Sequence, residues 1–249
     1  MRDAELPGAR IRYEDSGGEG SGEGPPVVFL HAGSGSSRMW EQQIPPFTGA
    51  GYRFVAYDRR SDGAAADDLE ALAEHLGLER IHLVGTAAGG IVAVDYALSF
   101  PQRLRSLVIA NSIVGVQDED YLALSRSLRP SPQFDALPAE VRELGPSYRA
   151  ANPSGTLRWK ELAQHVKTQP TRNRITFAAL ETIKIPTLLL TGDADLYTPP
   201  SVLRLFAARF PNCESVVVPE CGHSAFWEQP DIFNRTVLDF IGKIGTDHI

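Results

Sequence analysis

The chain has 249 residues, 43% hydrophobic and 22% charged, with a net charge of −7. That length holds one large α/β domain, burying about three quarters of its unfolded surface, and leaves no room for a second full one. The 24 basic residues are scattered, no stretch approaches the ~20 apolar residues of a membrane span and the N-terminus lacks a signal-peptide core, so a cytoplasmic protein without nucleic-acid or membrane partners is expected.

Residues 11–14 and 27–30 read as strands. The loop between them, 16–26, is too rich in Gly and Glu to pack a core and reads as a mobile hairpin tip. Directly after the second strand comes His31-Ala32-Gly33-Ser34-Gly35, then an apolar helix beginning at Met39 and Trp40. Residues 53–57 form the next strand, and Leu69, Leu72, Ala73 and Leu76 stripe a helix that closes at Gly77.

Residues 81–84 make a short buried strand, and Ile91, Val92, Val94, Ala97 and Leu98 cover a helix that stops at Pro101. Between them stands Gly85-Thr86-Ala87-Ala88-Gly89, the spacing of the nucleophile elbow Gly-x-Ser-x-Gly with Ala87 at its centre. Alanine has no hydroxyl with which to attack a carbonyl. It is also out of place at the strained positive φ of such a turn, where Gly or Asn is less costly unless a functional side chain demanded it.

A strand at 107–110 follows. From 114 to 184 the pattern changes to short helices at 121–128, 139–144, 157–166 and 175–183, punctuated by Pro130, Pro132, Pro146, Pro153 and Pro170. A strand at 186–190 leads into Thr191-Gly192-Asp193-Ala194-Asp195, and Val202, Leu203, Phe206 and Phe210 mark the helix after it. A last strand, 215–218, leads into Cys221-Gly222-His223, and Ile232, Phe233, Val237, Phe240 and Ile241 mark the final helix. Cys213 and Cys221 flank that extended strand, too far apart for a disulfide, and are expected to stay reduced. Strands alternating with helices require a mostly parallel, doubly wound sheet with helices on both faces.

An elbow, then an acid after a strand, then a His after the last strand, is the chain order of an α/β-hydrolase triad. On these residues the chain resembles the α/β-hydrolase superfamily, in its cap-bearing branch, over nearly its whole length. The resemblance implies a core of residues 1–113 and 185–249, with a helical cap, 114–184, inserted before the acid-bearing strand. It implies Asp195 as the acid and His223, in Gly-His-x4-Glu-x-Pro, as the base; Asp193, beside Gly192, reads as a turn former. It also implies an oxyanion hole from the main chain of Gly33 and Ala88, with Ala32 where the family usually carries Gly. His75, His82, His165 and His248 have no comparable frame and read as structural or solvated. The connection from Arg60 to Asp67 is shorter than in relatives, either trimmed or lacking a segment.

The family carries Ser, or in some branches Asp, where this chain has Ala87; Ala88, where the Asp branches usually have Trp, favours Ser. A substitution made to trap substrate and a natural pseudo-enzyme both account for Ala87, and the intact supports favour the first. The implied reaction is hydrolysis of a small-molecule ester or lactone, without metal or other cofactor, by a monomer or homodimer. Carbon–carbon bond hydrolysis is the alternative, disfavoured because those relatives usually place Trp where Ser224 stands. Tyr148, Trp159, Phe177 and Tyr197 are the aromatic candidates for lining an apolar substrate pocket.

Overall fold

The computed structural model describes residues 1–17, 24–164 and 169–244. Its one sheet contains eight strands: β1 (Arg2–Leu6), β2 (Ala9–Asp15), β3 (Pro26–Leu30), β4 (Arg53–Tyr57), β5 (Ile81–Thr86), β6 (Leu104–Ala110), β7 (Thr187–Gly192) and β8 (Cys213–Val218). Their spatial order is β1-β2-β4-β3-β5-β6-β7-β8. β1 and β2 pair antiparallel, as do β2 and β4, and every pairing from β4 across to β8 is parallel. The expected doubly wound α/β architecture is therefore present, with antiparallel strands at one edge.

The helices are α1 (Ile44–Gly49), α2 (Ala65–His75), α3 (Ala88–Ser99), α4 (Glu119–Ser127), α5 (Ala139–Glu143), α6 (Pro146–Ala151), α7 (Pro153–Leu162), α8 (Phe177–Leu180), α9 (Pro200–Ala207), α10 (Ala225–Glu228) and α11 (Pro230–Lys243). Period-two alternation along the strands divides the core into two layers. Val28, Leu30, Val55 and Leu83 face Leu69 and Leu72 of α2, Ala93 and Val94 of α3 and Phe206 of α9. Val27, Phe29, Phe54 and Val84 face Trp40, Phe47 of α1 and Phe233, Val237 and Phe240 of α11. Phe29 alone meets Trp40, Phe47 and Phe54 at ring-centroid distances of 5.0, 5.0 and 4.7 Å. Burying one such side chain contributes about 1.5–3 kcal/mol.

Some elements depart from the sequence reading. β1 is an additional strand: only Ala4 among its residues is buried, so its alternation is too weak to stand out. Met39 and Trp40 lie in a 3₁₀ turn, Ser37–Trp40, and the following helix starts at Ile44 with prolines in its first turn. α7 begins at Pro153, earlier than the apolar pattern suggests, because the Asn152 side chain caps it by accepting from Gly155 N at 2.9 Å. α7 also ends at Leu162, short of the expected 166, because Ala163 turns extended (φ −63°, ψ 132°); His165, His248 and part of the expected hairpin tip (18–23) lie outside the described residues. The short connection after Arg60 runs directly into α2, tied down by an Arg60–Asp68 ion pair at 2.8 Å.

The elbow glycines are set by how closely β3, β5 and α3 approach. A Cβ on Gly85 would lie 2.4 Å from the Gly89 carbonyl oxygen, and one on Gly89 would lie 2.2 Å from that of Leu30. Both obstacles are main chain and cannot rotate aside. Gly89→Ala is therefore expected to lower stability by about 1–3 kcal/mol or more, read as a lower urea midpoint at unchanged denaturant slope.

Candidate active site

β5 ends at Thr86 and α3 starts at Ala88, so Ala87 must reverse the chain alone, with φ 48° and ψ −116°. A strained alanine persists only where its surroundings over-determine it. Here Ala87 N donates to Ala110 O (3.0 Å), while Ala87 O accepts from Gly90 N (3.0 Å) and from Ser112 Oγ (2.6 Å). The elbow is thus built in full around a methyl group. Ala88, the first residue of α3, carries one of the N–H groups that have no acceptor within their own helix.

The loops after β7 and β8 bring Asp195 and His223 together. His223 Nδ1 lies 2.9 and 2.8 Å from Asp195 Oδ1 and Oδ2. Oδ1 also accepts from Tyr197 N (2.8 Å) and Thr198 N (2.9 Å), and Oδ2 from Thr191 Oγ1 and Asn111 Nδ2, both at 3.0 Å. Burial, the largest effect on Asp195, pushes its pKa up, but the His223 charge and the donors outweigh it and hold the carboxyl below its usual range. For His223 burial disfavours the imidazolium, yet Asp195, assisted by Glu143 and Glu228, raises its pKa above the ordinary 6.5. Asp193 takes no part in this pair: its Oδ1 accepts from Cys221 N at 3.1 Å and braces the His223 loop.

Asn111, at the end of β6, is a site residue that sequence reasoning missed. It adopts φ 49°, a conformation Asn tolerates better than most residues. Its amide reaches Asp195, Gly222 O (3.1 Å) and Ala225 N (3.3 Å), tying the segments after β7 and β8 to one side chain. The available signal was a lone Asn after a buried strand, which periodicity does not single out.

The glycine turn after β3 is held by His31. Arg59 N–H donates to Nε2 at 2.9 Å, so Nδ1 carries the proton and donates to Ala32 O at 2.7 Å. Burial and the neighbouring Arg59 charge drive the His31 pKa down to about 3, keeping the ring in this neutral form. The turn brings Gly33 and Ser34 to a cavity of about 460 Å³ that Ala87, Ala88 and His223 also line. Both expected oxyanion donors and the expected base therefore border one space, within the usual volume of a small-molecule site.

Of the four aromatic candidates only Tyr197 lines this cavity, its ring 4.5 Å from that of His223. Trp159 is 1% exposed and belongs to the core layer around Trp40 and Phe226, because α7 turns its apolar face inward. Phe177 packs edge-on to Tyr121 at 5.9 Å, and Tyr148 packs at the margin of the Trp159 layer, its hydroxyl 3.3 Å from Asn152 Nδ2. The cavity instead takes Arg142 and Glu143 from α5, both missed from sequence. Arg142 Nη1 donates to the Tyr197 hydroxyl at 2.6 Å, and Glu143 Oε2 accepts from Ser34 Oγ at 2.8 Å.

A model of the Alpha/beta hydrolase family matches residues 27–236. The chain is 28% identical, over an alignment 271 positions long, to a 2-hydroxy-6-oxononadienedioate/2-hydroxy-6-oxononatrienedioate hydrolase of Comamonas testosteroni, covering 96% of this chain and 93% of that protein. Among solved structures, a thermophilic esterase from Thermogutta terrifontis superposes with a TM-score of 0.80 at 24% identity, over 98% of this chain and 99% of that one. The enol-lactonase of Burkholderia xenovorans LB400 superposes with a TM-score of 0.77 at 20% identity, over 97% and 100%. At these identities the two structures speak to the fold alone.

The pair fixes a pH signature. The raised His223 pKa contributes stability that is complete below 6.5 and lost as pH climbs through the folded value; the lowered Asp195 pKa contributes stability present above 3.8 and lost as pH falls through its folded value. Both contributions coexist between those limits. In Asp195→Asn, burial acts on His223 without its main partner, so imidazole NMR titration is expected to show a pKa moved from above 6.5 to below it. An unchanged titration would mean that Asp195 does not control His223.

Proposed function

The chain belongs to the alpha/beta hydrolase family, and on that premise we propose that it is the nucleophile-lacking, ligand-holding form of a serine hydrolase for a small-molecule carboxylic ester or lactone. The observation that carries this reading is His223, paired with the buried Asp195 and lining the same cavity as Ala87, Ala88 and Gly33. With Ser at position 87, the hydroxyl would attack the substrate carbonyl while His223 takes its proton. Asp195 would hold the imidazole in the required tautomer and stabilise the imidazolium. The main-chain N–H groups of Gly33 and Ala88 would receive the developing oxyanion, each such donor contributing about 3–4 kcal/mol to the transition state. Residues 114–184 are read as the cap: α5 supplies Arg142 and Glu143 to the cavity wall, and the His223 main-chain N–H donates to Glu143 O at 2.9 Å.

With Ala87 the same cavity can bind and polarise a carbonyl but cannot form an acyl-enzyme. A carbon–carbon bond hydrolase is the second reading, favoured by the Comamonas testosteroni relative, whose named substrate contains no ester linkage. Ser224 beside His223 and the mostly apolar cavity wall support the ester or lactone reading for this chain.

Ala87→Ser is expected to create a hydrolase, since loss of a triad nucleophile typically costs on the order of 10⁶ in kcat. The measurement is turnover of a panel of aryl esters, lactones and 6-oxo-dienoates by the chain and its Ala87→Ser variant. The rate should rise with pH as His223 deprotonates, with an apparent pKa above 6.5. A folded variant that binds a panel member yet shows neither turnover nor an acyl adduct by mass spectrometry would replace this reading with that of a binding protein. Turnover confined to the dienoates would select the second reading.

In the Ala87→Ser background, Asp195→Asn is expected to lower kcat by about 10⁴, whereas Asp193→Asn changes it little. The reverse order in steady-state kinetics would reassign the acid.

A further inference from the structure

Ile91, one turn into α3 from Ala87, lines the cavity described above and also a second, more open one of about 560 Å³. Gly115 and Gln169 share its floor, and Gln117, Pro170 and Thr171 form its rim. Ile91 is the one residue common to the linings of the two spaces. Gly115, at φ +78°, packs its backbone against that side chain so closely that a Cβ there would lie 2.6 Å from Ile91 Cγ2.

Gln169 is 5% exposed. Its Nε2 donates to Asp62 O at 2.7 Å and approaches Asp68 Oδ2 at 3.3 Å, which fixes the orientation of the amide. The opposite atom, Oε1, is buried and has no donor among the described residues. A buried amide oxygen in that state is costly until a donor reaches it.

We propose that this groove is a distal subsite of the reactive cavity, receiving an uncharged hydroxyl- or amide-bearing end of the substrate. Gln169 Oε1 accepts its hydrogen bond, and Ile91 is the side chain a long substrate must pass. The proposal rests on the hydrolase reading and names the substrate class that reading leaves open. Its length scale follows from the helix: four residues from Ala87 to Ile91 span about 6 Å, which an extended chain covers in about five or six bonds. Short acyl groups therefore end in the first cavity, and longer ones arrive at the groove. A carboxylate end is excluded, because it would meet the Gln169 oxygen, an acceptor, beside the Asp68 carboxylate, which is already paired with Arg60. A neutral O–H or N–H supplies the missing donor.

The test is calorimetric binding to the chain as it stands, in which Ala87 prevents turnover. The probes are ethyl 8-hydroxyoctanoate, ethyl nonanoate and monoethyl azelate, which differ only in a terminal hydroxyl, methyl or carboxylate, with ethyl acetate as the short ester. The hydroxyl-ended ester is expected to bind about tenfold more tightly than the methyl-ended one, the size of one well-made hydrogen bond, with the carboxylate the weakest of the long probes. Gln169→Leu should bring the hydroxyl-to-methyl ratio to about one. Thr171→Trp, which plugs the rim without touching Asp62 or Asp68, should do the same and keeps the test decisive if Gln169→Leu does not fold. A ratio near one in the unsubstituted chain, or a preference that survives Thr171→Trp, overturns the subsite. Should ethyl acetate bind and be hydrolysed by Ala87→Ser while the ratio is one, the subsite alone is lost. Should no ester bind, the subsite and the hydrolase reading are lost together.

Discussion

A carboxylate and an imidazole, paired where water hardly reaches, are the constraint that the upper end of this sheet serves. An isolated buried charge is prohibitively costly, so each member must be supplied with partners. Asp195 takes two main-chain donors, a threonine hydroxyl and the Asn111 amide in addition to His223. His223 is held at its main chain by Glu143 O and its loop is clasped by Glu228, which accepts from Gly222 N (3.0 Å), Ser224 N (3.1 Å) and Gly145 N (2.8 Å). Burial raises the Glu228 pKa and these three donors oppose the rise. One buried carboxyl thereby joins the His223 loop to the segment between α5 and α6.

The same economy operates at Ala87. A residue at positive φ without a functional side chain is a local cost of about 1–3 kcal/mol, and natural chains place such strain where geometry is needed for chemistry. The three hydrogen bonds that hold Ala87, and the main-chain contacts that exclude a Cβ at Gly85 and Gly89, keep the elbow in place although nothing at its tip can attack. The backbone here keeps a strained turn whose tip carries only a methyl group.

Attachment of the helical segment between β6 and β7 follows a related logic. Its far end is anchored to α3 by Asp95, whose carboxylate accepts from Arg172 N and Asn173 N, both at 2.9 Å. Its middle reaches the cavity lined by Ala87 and His223 through Arg142 and Glu143, and its α7 contributes Trp159 and Leu162 to the core layer that includes α11. A segment that shares the core is a wall of the site more than a loose cover.

What could be read without a structure was whatever repeats locally or depends on spacing. Short, mostly apolar runs such as 53–57 and 81–84 gave strands because a strand between two helical layers must be apolar on both faces. Small residues at Gly85 and Gly89 marked the elbow because only they permit the approach of β3 and α3. The order of elbow, acid loop and His loop was likewise written along the chain. Tertiary structure alone decided which side chains converge. Asn111 meets Asp195 across 84 residues and Gly222 across 111, and Ser34 meets Glu143 across 109, separations over which no sequence period carries information. It also decided that Trp159 fills the core and Phe177 packs against it while Tyr197 faces the cavity, since helical spacing tells that a face is buried but not against what. The neutral tautomer of His31 and the unmet oxygen of Gln169 belong to the same class, because burial and hydrogen-bond partners exist only after the chain has folded.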